Sequence, residues 1–178
     1  MIVGWARGGR LDSLGRAPVR GLPVLGAAVV MALLALGTPL PQIVARVLQG
    51  AGYLLALAAL WLNRRHPWSL PVLIGLGLNA AVIALNGGRM PVAPDALARL
   101  SPGLDPAGAM IGLDPRHVLA GPGTRLPVLG DSIAVGVGRA GLIASPGDLL
   151  MALGVGGFVQ EQMVGARAGP PGLDDSNV

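Results

Sequence analysis

The sequence predicts an all-α protein, a polytopic transmembrane helical bundle of three full spans and a fourth of marginal length. Three observations predict it. Only 12% of the 178 residues are charged, whereas a soluble domain carries about a quarter. Mean hydropathy is +0.64. Charge is also absent over three long windows: 25 positions from Gly21 to Ala45, 17 from Val47 to Asn63 and 23 from His66 to Gly88. A spanning helix needs roughly 20 apolar residues, within about 17–25. So little charge cannot cover a water-facing surface, so lipid takes over part of the role of solvent.

The elements follow in chain order. Residues 1–20 form a basic cytoplasmic N-terminus, with Arg7, Arg10, Arg16 and Arg20 against Asp12, too charged to span. Gly21–Leu36 is the first span, stopped by Gly37-Thr38-Pro39-Leu40-Pro41, because proline removes a helix donor and clashes with the preceding turn. Pro-Leu-Pro is unlike the small-residue cleavage site of a signal peptide, so the span reads as an uncleaved anchor. Val47–Leu62 is the second span and Trp68–Leu85 the third, completing a membrane region over residues 21–88. Between them lies the basic turn Asn63-Arg64-Arg65-His66-Pro67, flanked by Trp61 and Trp68, as an interfacial aromatic belt requires. The positive-inside rule places this turn and the N-terminus in the cytoplasm. Two spans separate them, so the parity agrees.

Residues 89–147 read as a Gly/Pro-rich extracytoplasmic or interfacial segment. From Gly87 to Gly147 there are twelve glycines and eight prolines in 61 residues, which excludes long regular elements beyond a short helix at Asp95–Leu100. Gly-Leu-Asp-Pro at Gly103–Pro106 and again at Gly112–Pro115 is turn chemistry, with too little acid for a calcium loop. Leu126–Ala144 is apolar but interrupted by Pro127, Asp131, Gly136, Gly138 and Arg139; it suits a segment lying along the interface or re-entering the membrane. Residues 148–164 form the fourth helix, which just reaches across the bilayer when extended from Ser145 to Val164. Residues 165–178 read as a disordered tail.

Composition narrows the function classes. All thirteen basic residues are arginine; a GC-rich genome accounts for that more simply than phosphate recognition does. The net charge of +4 sits beside the spans, so no nucleic-acid partner is expected. With no cysteine, disulfides and thiolate metal sites are excluded. No cofactor or metal is expected. The expected partners are the lipid bilayer and other membrane protein subunits.

A few polar residues stand out against this background. Asn79 and Asn86 lie seven apart on one face of the third helix, and Ala80, Ala84 and Gly88 form a small-residue ladder beside them. Helix packing explains both more readily than a polar pathway. His117, Asp131 and Asp148 are the notable ionisable groups. Ser145 can cap a helix with Pro146 in its first turn and Asp148 favouring the dipole. Val128-Leu129-Gly130-Asp131-Ser132-Ile133 is similar to the nucleophile block of GDSL-type hydrolases, and Asp114-Pro115-Arg116-His117 to their Asp-x-x-His. That family places Asp-x-x-His after the serine, whereas here it comes before. No soluble domain supplies oxyanion donors, so a chance match is the expectation and the chain is not read as an enzyme.

Four motifs together carry a different resemblance: Gly8-Gly9-Arg10-Leu11, Asn86-Gly87-Gly88-Arg89-Met90-Pro91-Val92, the set of His117, Thr124-Arg125-Leu126 and Leu129-Gly130-Asp131, and Ser145–Gly154. On these the chain resembles a family of small bacterial integral membrane proteins of unknown function. The resemblance implies an apolar segment ahead of Gly8, where this chain has only Met1–Arg7. The candidate polar site comprises Asn79, Asn86, Gly87, Gly88, Met90, Pro91, His117, Asp131, Ser145 and Asp148. The leading expectation is a non-enzymatic accessory subunit or scaffold. The alternative is a small transporter or membrane enzyme using Asn79, Asn86, His117, Asp131 and Asp148.

Overall fold

A computed structural model describes residues 19–37, 40–103, 105–110, 116–136 and 141–165. The Gly8–Leu11 motif, the second Gly-Leu-Asp-Pro with Asp114, and residues 166–178 lie outside the described residues.

Among the described residues four long helices carry the architecture: α1 (Leu22–Gly37), α2 (Gln42–Leu62), α3 (Ser69–Leu85) and, after a folded insertion, α6 (Pro146–Gly165). Their close approaches give the directions. Gly52 of α2 meets Ala28 and Met31 of α1, and the side-chain amide of Asn63 after α2 donates to the Arg20 carbonyl before α1 at 2.8 Å. Arg46 near the start of α2 touches Gly88 just after α3. On α6, Gly147 meets Gly75 and Asn79, whereas Gly154 and Gly157 meet Trp68 and Val72. Successive long helices therefore run antiparallel, α1 packing on α2, α2 on α3 and α3 on α6. One end of the bundle gathers Arg20, Arg64, Arg65 and His66 and is the basic end; the insertion folds over the other.

The insertion departs from the all-α expectation. It contains β1 (Met90–Val92), α4 (Pro94–Leu100), α5 (Pro106–Met110), β2 (His117–Leu119), a 3-10 turn (Pro127–Leu129), β3 (Ile133–Val135) and β4 (Leu142–Ala144). β1 pairs parallel with β2 in the register Met90 to His117, and β3 antiparallel with β4. The physical reason is local. Glycine and proline punctuate the segment too often for long helices, so buried backbone groups find partners in three-residue pairings instead. The parallel pairing also needs a crossover of about a dozen residues or more, which the stretch holding α4 and α5 supplies. Pro91 sits in β1 without damage, because residues 90 and 92 make the bonds to the β2 side. The Met90 N–H donates to the Arg116 carbonyl at 2.7 Å and the Ala120 N–H to the Val92 carbonyl at 2.8 Å, so the missing N–H of Pro91 faces away from β2. Pro91 and Val92 are fully buried. The short helix expected at Asp95–Leu100 is present as α4. In the stretch from Leu126 to Ala144 the described residues form the 3-10 turn and strands, and none is α-helical.

By length and composition, one described helix, Gln42–Leu62, is long and apolar enough to cross a membrane; Leu22–Ala35 and Ser69–Leu85 are shorter apolar helices. Only 11% of the most apolar stretch of α2 is buried inside the protein. A soluble core helix would be mostly buried, so this apolar surface is turned outward. Leu33, Val47, Leu54, Leu70 and Leu153 repeat the pattern on all four helices, each between 53% and 69% exposed.

Candidate functional site

The polar residues concentrate where the insertion meets the bundle. α3 ends there through glycines: Gly87 and Gly88 both have left-handed backbones, with φ of +68° and +79°. The Gly88 N–H reaches back to the Ile83 carbonyl at 2.9 Å, the long bond of a Schellman ending that glycine makes accessible. Asn86, the cap residue, then acts as a clamp. Its amide donates to the Val82 carbonyl at 2.8 Å and the Arg125 carbonyl at 2.9 Å, while its own oxygen accepts the Arg125 N–H at 2.9 Å. The two-sided bond to Arg125 holds the next residue, Leu126, at φ +52°, a conformation costly for a side chain of that bulk.

Sixty residues later the chain enters α6 through a reciprocal cap. Ser145 Oγ accepts the Asp148 N–H at 3.0 Å, and Asp148 Oδ2 accepts the Ser145 N–H at 2.9 Å. This is a capping box with Asp in place of Glu. Both caps extend to a third residue. Ser145 Oγ donates to Asn79 Oδ1 at 2.8 Å, and Asn79 Nδ2 donates to Asp148 Oδ1 at 2.8 Å. Asn79 and Ser145 are buried, at 4% and 0% exposure. The triangle is satisfied on every side, and an unsatisfied polar group in its place would cost about 1–3 kcal/mol. Such closeness needs glycine: a Cβ on Gly147 would meet Asn79 Oδ1, and one on Gly75 would meet the Gly147 carbonyl.

A second pair lies in the insertion. Asp131 adds to β1 by an isolated parallel bridge to Val92, its N–H donating to the Pro91 carbonyl at 2.8 Å. Gly130 before it leaves room for that carbonyl. The Asp131 carboxylate lies 3.3 Å from His117 Nε2 and is largely buried. His117 therefore faces Asp131, while the Ser132 hydroxyl donates to the Val128 carbonyl at 3.3 Å. Asp114, needed for the hydrolase-like arrangement, lies outside the described residues.

The structure thus joins Asn79, Ser145 and Asp148 in one network and His117 with Asp131 in another. Asn86 belongs to neither. Met90 and Pro91 are buried in β1 rather than presented to a site. Between the two networks stands a residue the sequence reading passed over. The Tyr53 hydroxyl lies within electrostatic reach of Asp148, Arg116 and Asp131. Tyr53 lines a cavity of about 290 Å³ with Gln49 and Arg116. The available signal was that Tyr53 is the chain's sole tyrosine, set mid-helix in an apolar run. Among the described residues, no three His, Asp or Glu side chains gather to hold a metal.

No curated protein and no solved structure matches this chain. A family model does, over residues 18–160, a range that runs from before α1 into α6 and takes in every cap and ion pair described above. The chain therefore belongs to DUF5317, a family of unknown function.

Proposed function

We propose that the protein is a multi-pass component of a bacterial plasma membrane, a non-enzymatic accessory subunit or scaffold. In this reading α1, α2, α3 and α6 span the bilayer, and the insertion forms an extracytoplasmic cap. The observation that carries it is the outward apolar surface of α2, whose most apolar stretch is only 11% buried. The fourth span is the shortest in register. α6 has 20 residues, but Gly147 lies against Gly75 and Asn79, midway along α3, and Gly157 already meets Trp68 at its start. About 18 Å of α6 therefore runs beside α3 at about 1.5 Å per residue, against a hydrocarbon layer of about 30 Å. At 16 residues, α1 is about 24 Å long, and local bilayer thinning accommodates that shortfall. On this reading the end holding Arg20, Arg64 and Arg65 lies in the cytoplasm. The insertion end holds Arg46, Arg89, Arg99, Arg116 and Arg125, so the arginine count does not itself set the orientation. The polar residues support a scaffold, because Asn79, Asn86, Ser145 and Asp148 are spent on joining elements.

Alkaline washing of membranes tests the first part: the protein stays in the pellet if it spans, and enters the supernatant if the reading is wrong. Mild-detergent purification tests the second, through a partner that co-elutes at fixed stoichiometry.

One observation favours a second reading, a small transporter or membrane enzyme. Tyr53, Gln49 and Arg116 face a cavity inside the bundle, and an ionisable group at such depth usually marks a pathway. Tyr53→Phe and Arg116→Gln separate the two readings. A scaffold keeps its partner and its cellular phenotype in both variants, whereas a transporter or enzyme loses the phenotype while remaining folded.

A further inference from the structure

The two helix pairs do not close on each other at the basic end. There α1–α2 and α3–α6 enclose a cavity of about 340 Å³, within the roughly 300–1,000 Å³ of small-molecule sites. No packed interface joins α1 to α6. The cavity walls are apolar, with Leu25 from α1, Ala56 from α2, Val72 and Leu76 from α3, and Met151 from α6. Leu25, Ala56 and Leu76 also line the Tyr53 cavity, so the space continues lengthwise along the bundle. Its polar members sit at the basic end and are engaged. Asn63 bonds the backbone of Arg20 on both its N–H and carbonyl, and His66 stands edge-on to Phe158 at 5.2 Å.

The charge beside the opening is cationic. Arg64 is committed, donating to the Trp61 carbonyl at 2.9 Å and stacking 4.6 Å from its ring. Arg20 and Arg65 are exposed, and among the described residues neither has an ion-pair partner. Among the described residues the acid at this end is Glu161, 3.8 Å from His66. An apolar slot whose mouth is lined by Asn63, bonded to the Arg20 backbone, and by His66, next in the chain to the exposed Arg65, matches an acyl chain bearing an anionic head. We infer that this cavity holds one chain of an anionic phospholipid from the leaflet at the basic end, its phosphate met by Arg20 and Arg65. The inference rests on the membrane reading above. Arginine suits the head group because its fork matches phosphate oxygens, and cytoplasmic leaflets are rich in anionic lipid. The stretch between Leu25, Ala56, Leu76 and Met151 is apolar and does not hold water well, so a chain is the natural filling.

Native mass spectrometry of the full chain, purified in mild detergent and exposed to phosphatidylglycerol or phosphatidylcholine, tests it. The expected result is one retained phosphatidylglycerol, at least fivefold preferred over phosphatidylcholine. Ala56→Phe, which fills the slot, should lower that occupancy at least fivefold. The double variant Arg20→Gln with Arg65→Gln should retain lipid but lose the preference. No retained lipid, or equal retention of both lipids unaffected by Ala56→Phe, overturns the inference. If Ala56→Phe does not fold, Trp5→Phe with Trp61→Phe leaves Trp68, which lines the cavity, as the sole tryptophan. Brominated phosphatidylglycerol should then quench Trp68 more than brominated phosphatidylcholine at equal mole fraction, and equal quenching overturns the inference. The alkaline wash reads the membrane assignment separately: a protein that stays in the pellet yet retains no lipid sinks only the lipid site.

Discussion

The seam between α3 and α6 and the gap between the two helix pairs are built on opposite principles. Along the seam, Gly75, Gly147, Gly154 and Gly157 let backbone lie against backbone or ring, and Asn79, Ser145 and Asp148 bond across its upper end. Along the gap, two cavities of about 340 and 290 Å³ separate apolar side chains. Small residues and interhelical hydrogen bonds fix a helix pair in one register, whereas the two cavities leave side chains along the gap, among them Leu25, Ala56 and Leu76, without close-packed neighbours on one side. The molecule is therefore two rigid hairpin-like pairs with a compliant boundary. Specificity resides in the seam, and capacity for a ligand or for movement resides in the gap.

The largest expected effect comes from breaking the seam at its tightest point. Gly147→Val drives a side chain into Asn79 and the Gly75 backbone, and should cost about 3 kcal/mol or more, the upper range for overpacking. Detergent-exclusion chromatography should then show aggregated or proteolysed protein. Asp148→Ala ranks next, since it strands the Asn79 amide and the Ser145 N–H, for a loss of about 2–3 kcal/mol. A thermal-shift assay checks it, and Asp148→Asn should recover part of the loss. Asn86→Ala should cost about 1–2 kcal/mol, confined to the insertion. Hydrogen exchange would rise over residues 121–129 and stay unchanged in α6. Across the gap, Ala56→Leu should change stability by less than about 0.5–1 kcal/mol in either direction, because it enters open space. A loss there as large as that of Gly147→Val would show that the gap is packed as tightly as the seam.

The same contrast explains what could be read from residues alone. The first three long helices were legible because apolar windows are a local property of the chain, although Arg46, expected to precede the second span at Val47, lies inside α2, which starts at Gln42. The Ser145–Asp148 cap was legible too, since donors and acceptors three residues apart find each other in any helix start. Asn79 was noticed, but its partners lie 66 and 69 positions away, and no spacing rule links residues so far apart. The strands were missed because three-residue segments carry no period to detect. Pro91 even argued against a strand. Tyr53 was passed over for the same reason as Asn79's partners: its charged neighbours arrive from the insertion and from α6.

The placement of the partners along the chain has a consequence for biosynthesis. Gly75 and Asn79 are made some seventy residues before Gly147 and Ser145 emerge from the ribosome. Until then the nascent third helix exposes an amide and a glycine-notched flank with nothing to fill them. Closing a loop of that length is entropically slow relative to forming the neighbouring α1–α2 hairpin. The half-made chain is therefore the vulnerable species, and the capping box at the head of the last helix acts as a late latch that ends that exposure.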